Sequence, residues 1–245
     1  PQALSGRFPG DGEPDPLSAP LELMLCGDCA LVQLRHSVSG SELYTYGYGY
    51  RSGLNTTMRD HLSDLAQWIG AQVRLESGDI VLDIGCNDGT LLAAYATPDL
   101  RRIGIDPIAN KFTEHHPPGM EAHEGYFSEA ACQATLGAEK ARVITSVAMF
   151  YDLERPAEFV ATVARNLAAD GIWVLEQSYL LTMLETNAFD TVCHEHLEYY
   201  ALAQIERLAR DQGLRVFDVA LNAVNGGSFR LAVCHADAPQ AENSQ

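Results

Sequence analysis

Three features of the chain predict an α/β fold: a parallel sheet wound on both sides by helices and closed by an antiparallel hairpin. Short β-branched runs alternate with helix-forming stretches from residue 79 to residue 178, and alternation of this kind builds parallel sheets. The run Asp79-Ile-Val-Leu-Asp-Ile-Gly-Cys-Asn-Asp-Gly-Thr-Leu-Leu92 is a strand leading into a glycine turn and a helix start. Near the end, two apolar runs flank Asn225-Gly-Gly227, whose turn chemistry suits antiparallel partners.

Taken in order, residues 1–22 are rich in Pro, Gly and Asp without periodicity and predict an irregular arm. A hairpin is expected over 23–36 around Cys26-Gly-Asp-Cys29, followed by the aromatic run Tyr44-Thr-Tyr-Gly-Tyr-Gly-Tyr50. From Leu54, the spacing of Leu54, Met58, Leu62, Leu65, Ile69 and Val73 puts one apolar stripe on a helix. Strands are expected near 79–84, 101–106, 120–124, 141–146 and 171–178. Helices are expected near 89–97, 108–116, 128–137 and 156–169. The pattern loosens to about residue 200, then predicts a helix near 201–212 and closing strands near 214–221 and 228–235. Domain boundaries follow: an N-terminal arm over 1–53, a core over 54–237 and a tail over 238–245.

With 245 residues the chain can hold one full core plus an appendage. Its net charge of −17 repels nucleic acid and anionic lipid, so no nucleic-acid or membrane partner is expected. No apolar run approaches a membrane span. Of the six cysteines, Cys86, Cys132, Cys193 and Cys234 stand isolated, which fits a reducing, cytoplasmic setting. Cys26 and Cys29 form a Cys-x-x-Cys pair, half of a tetrahedral zinc set. The chain begins with Pro1, so the expectation is a zinc knuckle whose other cysteines lie upstream; two reduced structural thiols are the alternative. No interface signal bears on oligomeric state.

Candidate chemistry gathers at two places. Gly85 and Gly89 allow backbone angles closed to other residues, and the helix starting near Thr90 aims free N–H groups at the same spot. A dinucleotide fingerprint needs glycine where this chain has Asn87, which argues against NAD. Asp83 before Gly85-Cys86-Asn87-Asp88-Gly89 resembles motif I of class I S-adenosylmethionine (SAM) methyltransferases. Asp106, ending the strand Arg101-Arg-Ile-Gly-Ile-Asp106, suits a ribose diol, or a helix N-cap ahead of Pro107. The second place is Phe189-Asp-Thr-Val-Cys-His-Glu-His-Leu-Glu-Tyr-Tyr200, after the fifth strand. Its histidines and carboxylates suit acid–base work; a metal on His194, His196 and Glu198, or a plain polar loop, are the alternatives.

Together these pieces resemble the SAM-dependent sugar C-methyltransferases that act on nucleotide-linked keto-deoxysugars. The likeness rests on Cys26-Gly-Asp-Cys29, Tyr48-Gly-Tyr-Arg-Ser52, Asp83-Ile-Gly-Cys-Asn-Asp-Gly89, Glu195-His196 and Gly226-Gly-Ser-Phe-Arg230, spanning about residues 3–236. It implies a zinc-binding N-terminal lobe, a class I methyltransferase core with a Rossmann-like sheet, and a C-terminal lobe that would follow this chain. It also implies enolisation next to a ketone, then attack of the enolate carbon on the SAM methyl group. In that scheme His196 is the base, Glu195 orients it or the sugar, and Tyr48 or Tyr50 holds the sugar or the enolate oxygen. Where the family carries Tyr and Ala, this chain has Cys193 and His194, so His194 is a second candidate base.

Smaller expectations complete the set. Asp83, Gly85, Cys86, Asn87, Asp88, Gly89 and Asp106 hold the cofactor. Phe127 stacks on its adenine or packs in the core, and the stretch from Ser146 to Tyr151 lines the sulfonium and methyl path, with packing the alternative for Met149 and Phe150. Glu176 and Tyr179 face the substrate; Asn225, Arg230 and Arg51 contact sugar or phosphate, with a hairpin role open for Asn225. The readings carried forward are a C-methyltransferase on a small nucleotide-linked sugar, an O- or N-methyltransferase on a small molecule, and a non-catalytic SAM- or metal-binding module.

Overall fold

A computed structural model describes residues 2–4, 10–12, 14–15, 17–44 and 47–242. Thr45 and Tyr46 of the aromatic run, parts of the arm and the last three residues lie outside the described residues. Seven strands form one sheet: β1 (Ile80–Ile84), β2 (Arg101–Asp106), β3 (Glu121–Glu124), β4 (Ala141–Val147), β5 (Leu167–Ser178), β6 (Leu214–Asn222) and β7 (Ser228–His235). Their order across the sheet is β3-β2-β1-β4-β5-β7-β6. The first five are parallel, and β7 inserts antiparallel between β5 and β6 with Phe229 opposite Gln177.

Besides a single turn of helix at Gly40–Leu43, six helices among the described residues accompany them: α1 (Thr56–Gln72), α2 (Thr90–Ala94), α3 (Glu129–Thr135), α4 (Pro156–Asn166), α5 (Leu180–Thr186) and α6 (Leu202–Asp211). The sheet is buried on both faces, so alternate residues of one strand serve two cores. Leu82, Ile84, Trp173, Leu175 and Phe229 meet Val160 and Val163 of α4 and Ile205 of α6 on one face. Val81, Val143, Val174 and Phe217 meet Leu65 and Ile69 of α1 on the other. This explains why the strands read as continuous apolar runs rather than alternating ones.

Three boundaries differ from expectation for local reasons. Leu54 is 66% exposed and precedes α1 in a 3-10 turn; Asn55 caps the helix instead, its side chain accepting from the Thr57 N–H at 2.8 Å. The helix expected over 108–116 is a 3-10 turn over Ala109–His115. The helix expected to reach residue 169 ends at Asn166, and β5 begins at once, with a bulge opposite Ala141–Val143. At Gly171 a Cβ would lie 2.8 Å from the Arg142 carbonyl, so the pairing needs glycine there.

The arm carries a pairing of Gln2–Ala3 with Ser18–Ala19. The hairpin is present, Leu23–Leu25 against Val32–Leu34, and it gains a third strand, Glu198–Tyr199. That added strand anchors the segment after β5 to the N-terminal hairpin. No helix among the described residues is long and apolar enough to cross a membrane.

Candidate active site

At the carboxyl edge of β1, β2 and β4 opens a cavity of about 1200 Å³. Small-molecule sites run to roughly 1,000 Å³, so two reactants fit here together. Asp83, Gly85, Cys86, Asn87, Asp106, Phe127 and Met149 line one part; Tyr44, Tyr48, Tyr50, Tyr151, Asp152, His196 and Asn225 line the rest.

The β1–α2 turn is built for close approach. Gly85 has φ +73°, and a Cβ there would sit 3.2 Å from the Met149 side chain. Asn87 is also left-handed, at φ 49°, and its N–H donates to the Asp106 carboxylate at 3.0 Å. The other Asp106 oxygen accepts from the Ile108 N–H at 2.8 Å. Asp106 thus closes a turn onto the Ile108 N–H, while Ile108 itself caps the following 3-10 turn; it also lines the cavity, each oxygen keeping a lone pair for a ribose hydroxyl. Burial raises its pKa, which backbone N–H groups partly offset. Asp83 sits beneath the turn, accepting from the Thr145 hydroxyl at 2.6 Å, and burial lifts it to about 7. A bare glycine turn beside a cradled carboxylate fits the nucleoside and amino-acid parts of SAM.

Asp88, Gly89 and Ser146, expected on the cofactor, do not line the cavity. Asp88 accepts from the Gly53 N–H at 2.9 Å and from the Thr90 hydroxyl at 2.5 Å. Gly89 caps α2 at φ 77°. Ser146 is fully buried, its hydroxyl accepting from the Trp173 indole at 2.9 Å. Phe127 lines the cavity and packs on Phe159 at 4.9 Å. Arg51 turns to Asp88 (3.6 Å) and His115.

The segment after β5 separates its two histidines. His194 is buried, with Nε2 3.2 Å from the Ala19 carbonyl, and lies outside the cavity lining. His196 lines the cavity, packs on the Tyr151 ring at 4.2 Å, and places Nδ1 2.7 Å from the Thr191 carbonyl. A carbonyl only accepts, so Nδ1 carries the proton and Nε2 is the basic nitrogen. Burial lowers the His196 pKa, opposed by the Thr191 carbonyl and the Glu195 charge, so the ring is neutral near pH 7. Glu195 is buried and engages the Cys193 thiol; burial and that carboxylate push Cys193 up to about 12. Glu198 bonds the Tyr200 hydroxyl instead of joining the histidines. Among the described residues no three potential metal ligands gather. That removes the His194–His196–Glu198 metal reading and leaves Cys26 and Cys29 as two ligands of the four that zinc needs.

Three expected substrate residues also lie off the cavity. Glu176 is 3% exposed, accepts from Arg230 Nε at 2.7 Å, and pairs with His61. Arg230 in turn lies over the Trp68 ring at 5.3 Å, so this trio faces α1. Tyr179 packs on Phe229 at 4.8 Å. Tyr151 lines the cavity as expected of the end of β4; missed in the sequence were Tyr44 and Asp152, although a carboxylate just past a strand's carboxyl end is itself a signal for a ligand edge.

Residues 50–219 match the family described as "Methyltransferase domain". The chain is 30% identical over 211 residues to the C-methyltransferase NovU of Streptomyces niveus, an alignment covering 86% of this chain and 50% of that protein. It thus spans about half the length of that relative. The fold matches magnesium protoporphyrin IX methyltransferase of Synechocystis PCC 6803, solved with bound SAH (TM-score 0.54, 17% identity, 78% of this chain and 90% of that chain). It likewise matches the N-methyltransferase NodS of Bradyrhizobium japonicum WM9 with SAH (TM-score 0.55, 14% identity, 75% and 90%). With the class I sheet order and a glycine turn lining its cavity, the chain belongs to the methyltransferase-domain family.

Proposed function

We propose that this chain is the catalytic core of a SAM-dependent methyltransferase that methylates carbon next to the ketone of a nucleotide-linked sugar. The observation that carries the reading is His196. Its Nδ1 proton is committed to Thr191, so a neutral ring with basic Nε2 lines the same cavity as the Gly85 turn and Asp106. The His196 ring, neutral and packed on Tyr151, can take a proton from a C–H beside a carbonyl when the carbonyl oxygen is hydrogen-bonded in the same cavity. The likeness to NovU, named as a C-methyltransferase, supports carbon as the acceptor.

Bound SAM would supply an electrophilic methyl group. The chain's own residues do the rest. Asp106 and the bare turn at Gly85 hold the nucleoside, and Phe127 stacks beside it. His196 Nε2 removes the proton from carbon, Glu195 supports the imidazolium that forms, and Tyr48 and Tyr50 hold the sugar. Burial raises the pKa of both tyrosines, so they remain hydrogen-bond donors throughout. Cys26 and Cys29 take no part in this chemistry.

The test is His196→Asn. It should abolish methyl transfer and also abolish solvent deuterium exchange at the carbon beside the ketone, with SAM affinity by calorimetry unchanged. Near-normal exchange in the variant would remove His196 as the base. Methyl transfer by the wild type without any exchange would favour oxygen or nitrogen as the acceptor.

A further inference from the structure

Past the end of β4, a 3-10 turn over Phe150–Asp152 places a carboxyl group on the acceptor side of the cavity. Its two oxygens are treated differently. Oδ2 accepts a 2.6 Å hydrogen bond from the Tyr44 hydroxyl, 108 residues away in sequence. Oδ1 is shielded from solvent and has no hydrogen-bond partner. A buried polar atom left unpaired costs about 1–3 kcal/mol, so its persistence calls for a reason. Asp152 lines the same cavity as His196, and the intervening Tyr151 ring packs on the imidazole at 4.2 Å.

We propose that Asp152 is a catalytic residue that donates a hydrogen bond from Oδ1 to the carbonyl oxygen of the keto acceptor as His196 enolises it. Tyr44 fixes the carboxyl by donating to Oδ2, which leaves the acid proton on Oδ1. In the step assigned here, the C–H bond beside the ketone breaks and its proton passes to His196 Nε2. The C–H pair becomes the C=C π bond, and the former C=O π pair moves onto oxygen. That oxygen accepts the Asp152 hydrogen bond without taking the proton, so charge and atoms balance within acceptor and imidazole.

The surroundings hold the acid in this form. Burial raises the Asp152 pKa well above the carboxylate range; the Tyr44 bond opposes this and the Glu195 charge adds to it. The groups facing it are Tyr44 and Tyr48 from the N-terminal segment, Tyr151 from its own turn, and Glu195 and Tyr199 from the segment after β5. None is a cation. A neutral acid is the form such a neighbourhood favours, and one donor aimed at a developing oxyanion is worth about 100–1,000-fold in rate.

The inference rests on the proposed C-methylation, and its test separates the two. The probes are thymidine- and uridine-diphosphate keto-deoxyhexoses in deuterated water with S-adenosylhomocysteine present, so exchange is read without methyl transfer. Wild type should exchange the hydrogen beside the ketone. Asp152→Leu should lower that rate about 100-fold, while Asp152→Asn, whose amide still donates, should stay within about tenfold. Tyr44→Phe, which frees the carboxyl to rotate, should fall between them. S-adenosylhomocysteine affinity should be unchanged in all three, which also reports folding. In difference infrared spectra, wild type minus Asp152→Leu should retain the carbonyl stretch of a protonated carboxyl group. Exchange by Asp152→Leu near the wild-type rate overturns the assignment alone. So does a missing carboxyl stretch, or equal loss in the Asn and Leu variants; if Leu does not fold, the Asn and Tyr44→Phe rates decide. Exchange absent from wild type on every probe overturns the proposed function and this inference with it.

Discussion

Arg230→Met separates a structural ion pair from a phosphate contact. Its guanidinium donates to Glu176 at 2.7 Å; the two side chains are 12% and 3% exposed, and Glu176 is shared with His61. The variant keeps volume over Trp68 and deletes the charge, leaving a buried carboxylate with one partner. Breaking a pair at this depth costs about 3–5 kcal/mol. At roughly 2–4 °C per kcal/mol for a chain of this size, the melting temperature should fall by about 10 °C. The loss should also depend on pH. Burial pushes Glu176 up, but the His61 bond and the Arg230 charge outweigh it and hold it below the usual glutamate range. In wild type this contribution is present above the unfolded value and is lost as pH falls through the folded one. Without Arg230, burial prevails and Glu176 protonates at higher pH, so the gap between variant and wild type should narrow on acidification. Urea denaturation at several pH values measures both effects. A loss below about 1 kcal/mol, or a gap independent of pH, would refute the pairing; a selective rise in KM for the nucleotide sugar would restore Arg230 as a phosphate contact.

Two further outcomes follow from the buried carboxylates. Asp83 is raised to about 7 by burial, so the folded state holds a proton that the unfolded chain releases near ~3.9. Stability should therefore decline from about pH 4 to about pH 7 in wild type and stay flatter in Asp83→Asn, as read by urea midpoints. Asp106→Ala should weaken SAM binding by about ten- to a hundredfold, the worth of hydrogen bonds to a charged group, in calorimetric titration; unchanged affinity would leave Asp106 as a turn cap alone.

The inner strands were legible because burial on both faces demands apolar residues at nearly every position, and Gly85, Pro107 and Gly125 mark where β1, β2 and β3 stop. Gly85 and Asp106 were legible because their roles depend on local geometry, a positive φ and a strand end. Partnerships across the chain were not. Glu176 meets His61 from 115 residues away, and Arg230 from 54; no periodicity encodes either meeting. The two histidines show another limit. His194 and His196 would share a face on an extended strand, yet residues 192–197, between a 3-10 turn and the strand at Glu198, have no regular structure. One ring turns to Ala19 and the other to the cavity. The start of α1 was misplaced because Leu54 fits the helical stripe, whereas Asn55 supplies the cap that decides where the helix begins.

The polar pair at the centre of the glycine turn shows how cofactor and acceptor halves are joined. Asn87 accepts from the Ser52 N–H at 2.9 Å and donates to the Tyr50 carbonyl at 3.2 Å, and Asp88 accepts from the Gly53 N–H. A Cβ at Gly53 would lie 2.6 Å from the Asp88 carboxylate, so only glycine lets the two segments meet this closely. These bonds fix the backbone that carries Tyr48 and Tyr50 to the turn that carries Gly85. The residue that breaks the dinucleotide fingerprint, Asn87, thus docks the tyrosine segment together with Asp88. A glycine at position 87 would open room for a pyrophosphate and remove the bonds to Ser52 and Tyr50, leaving the Asp88 carboxylate to hold Gly53 and Arg51.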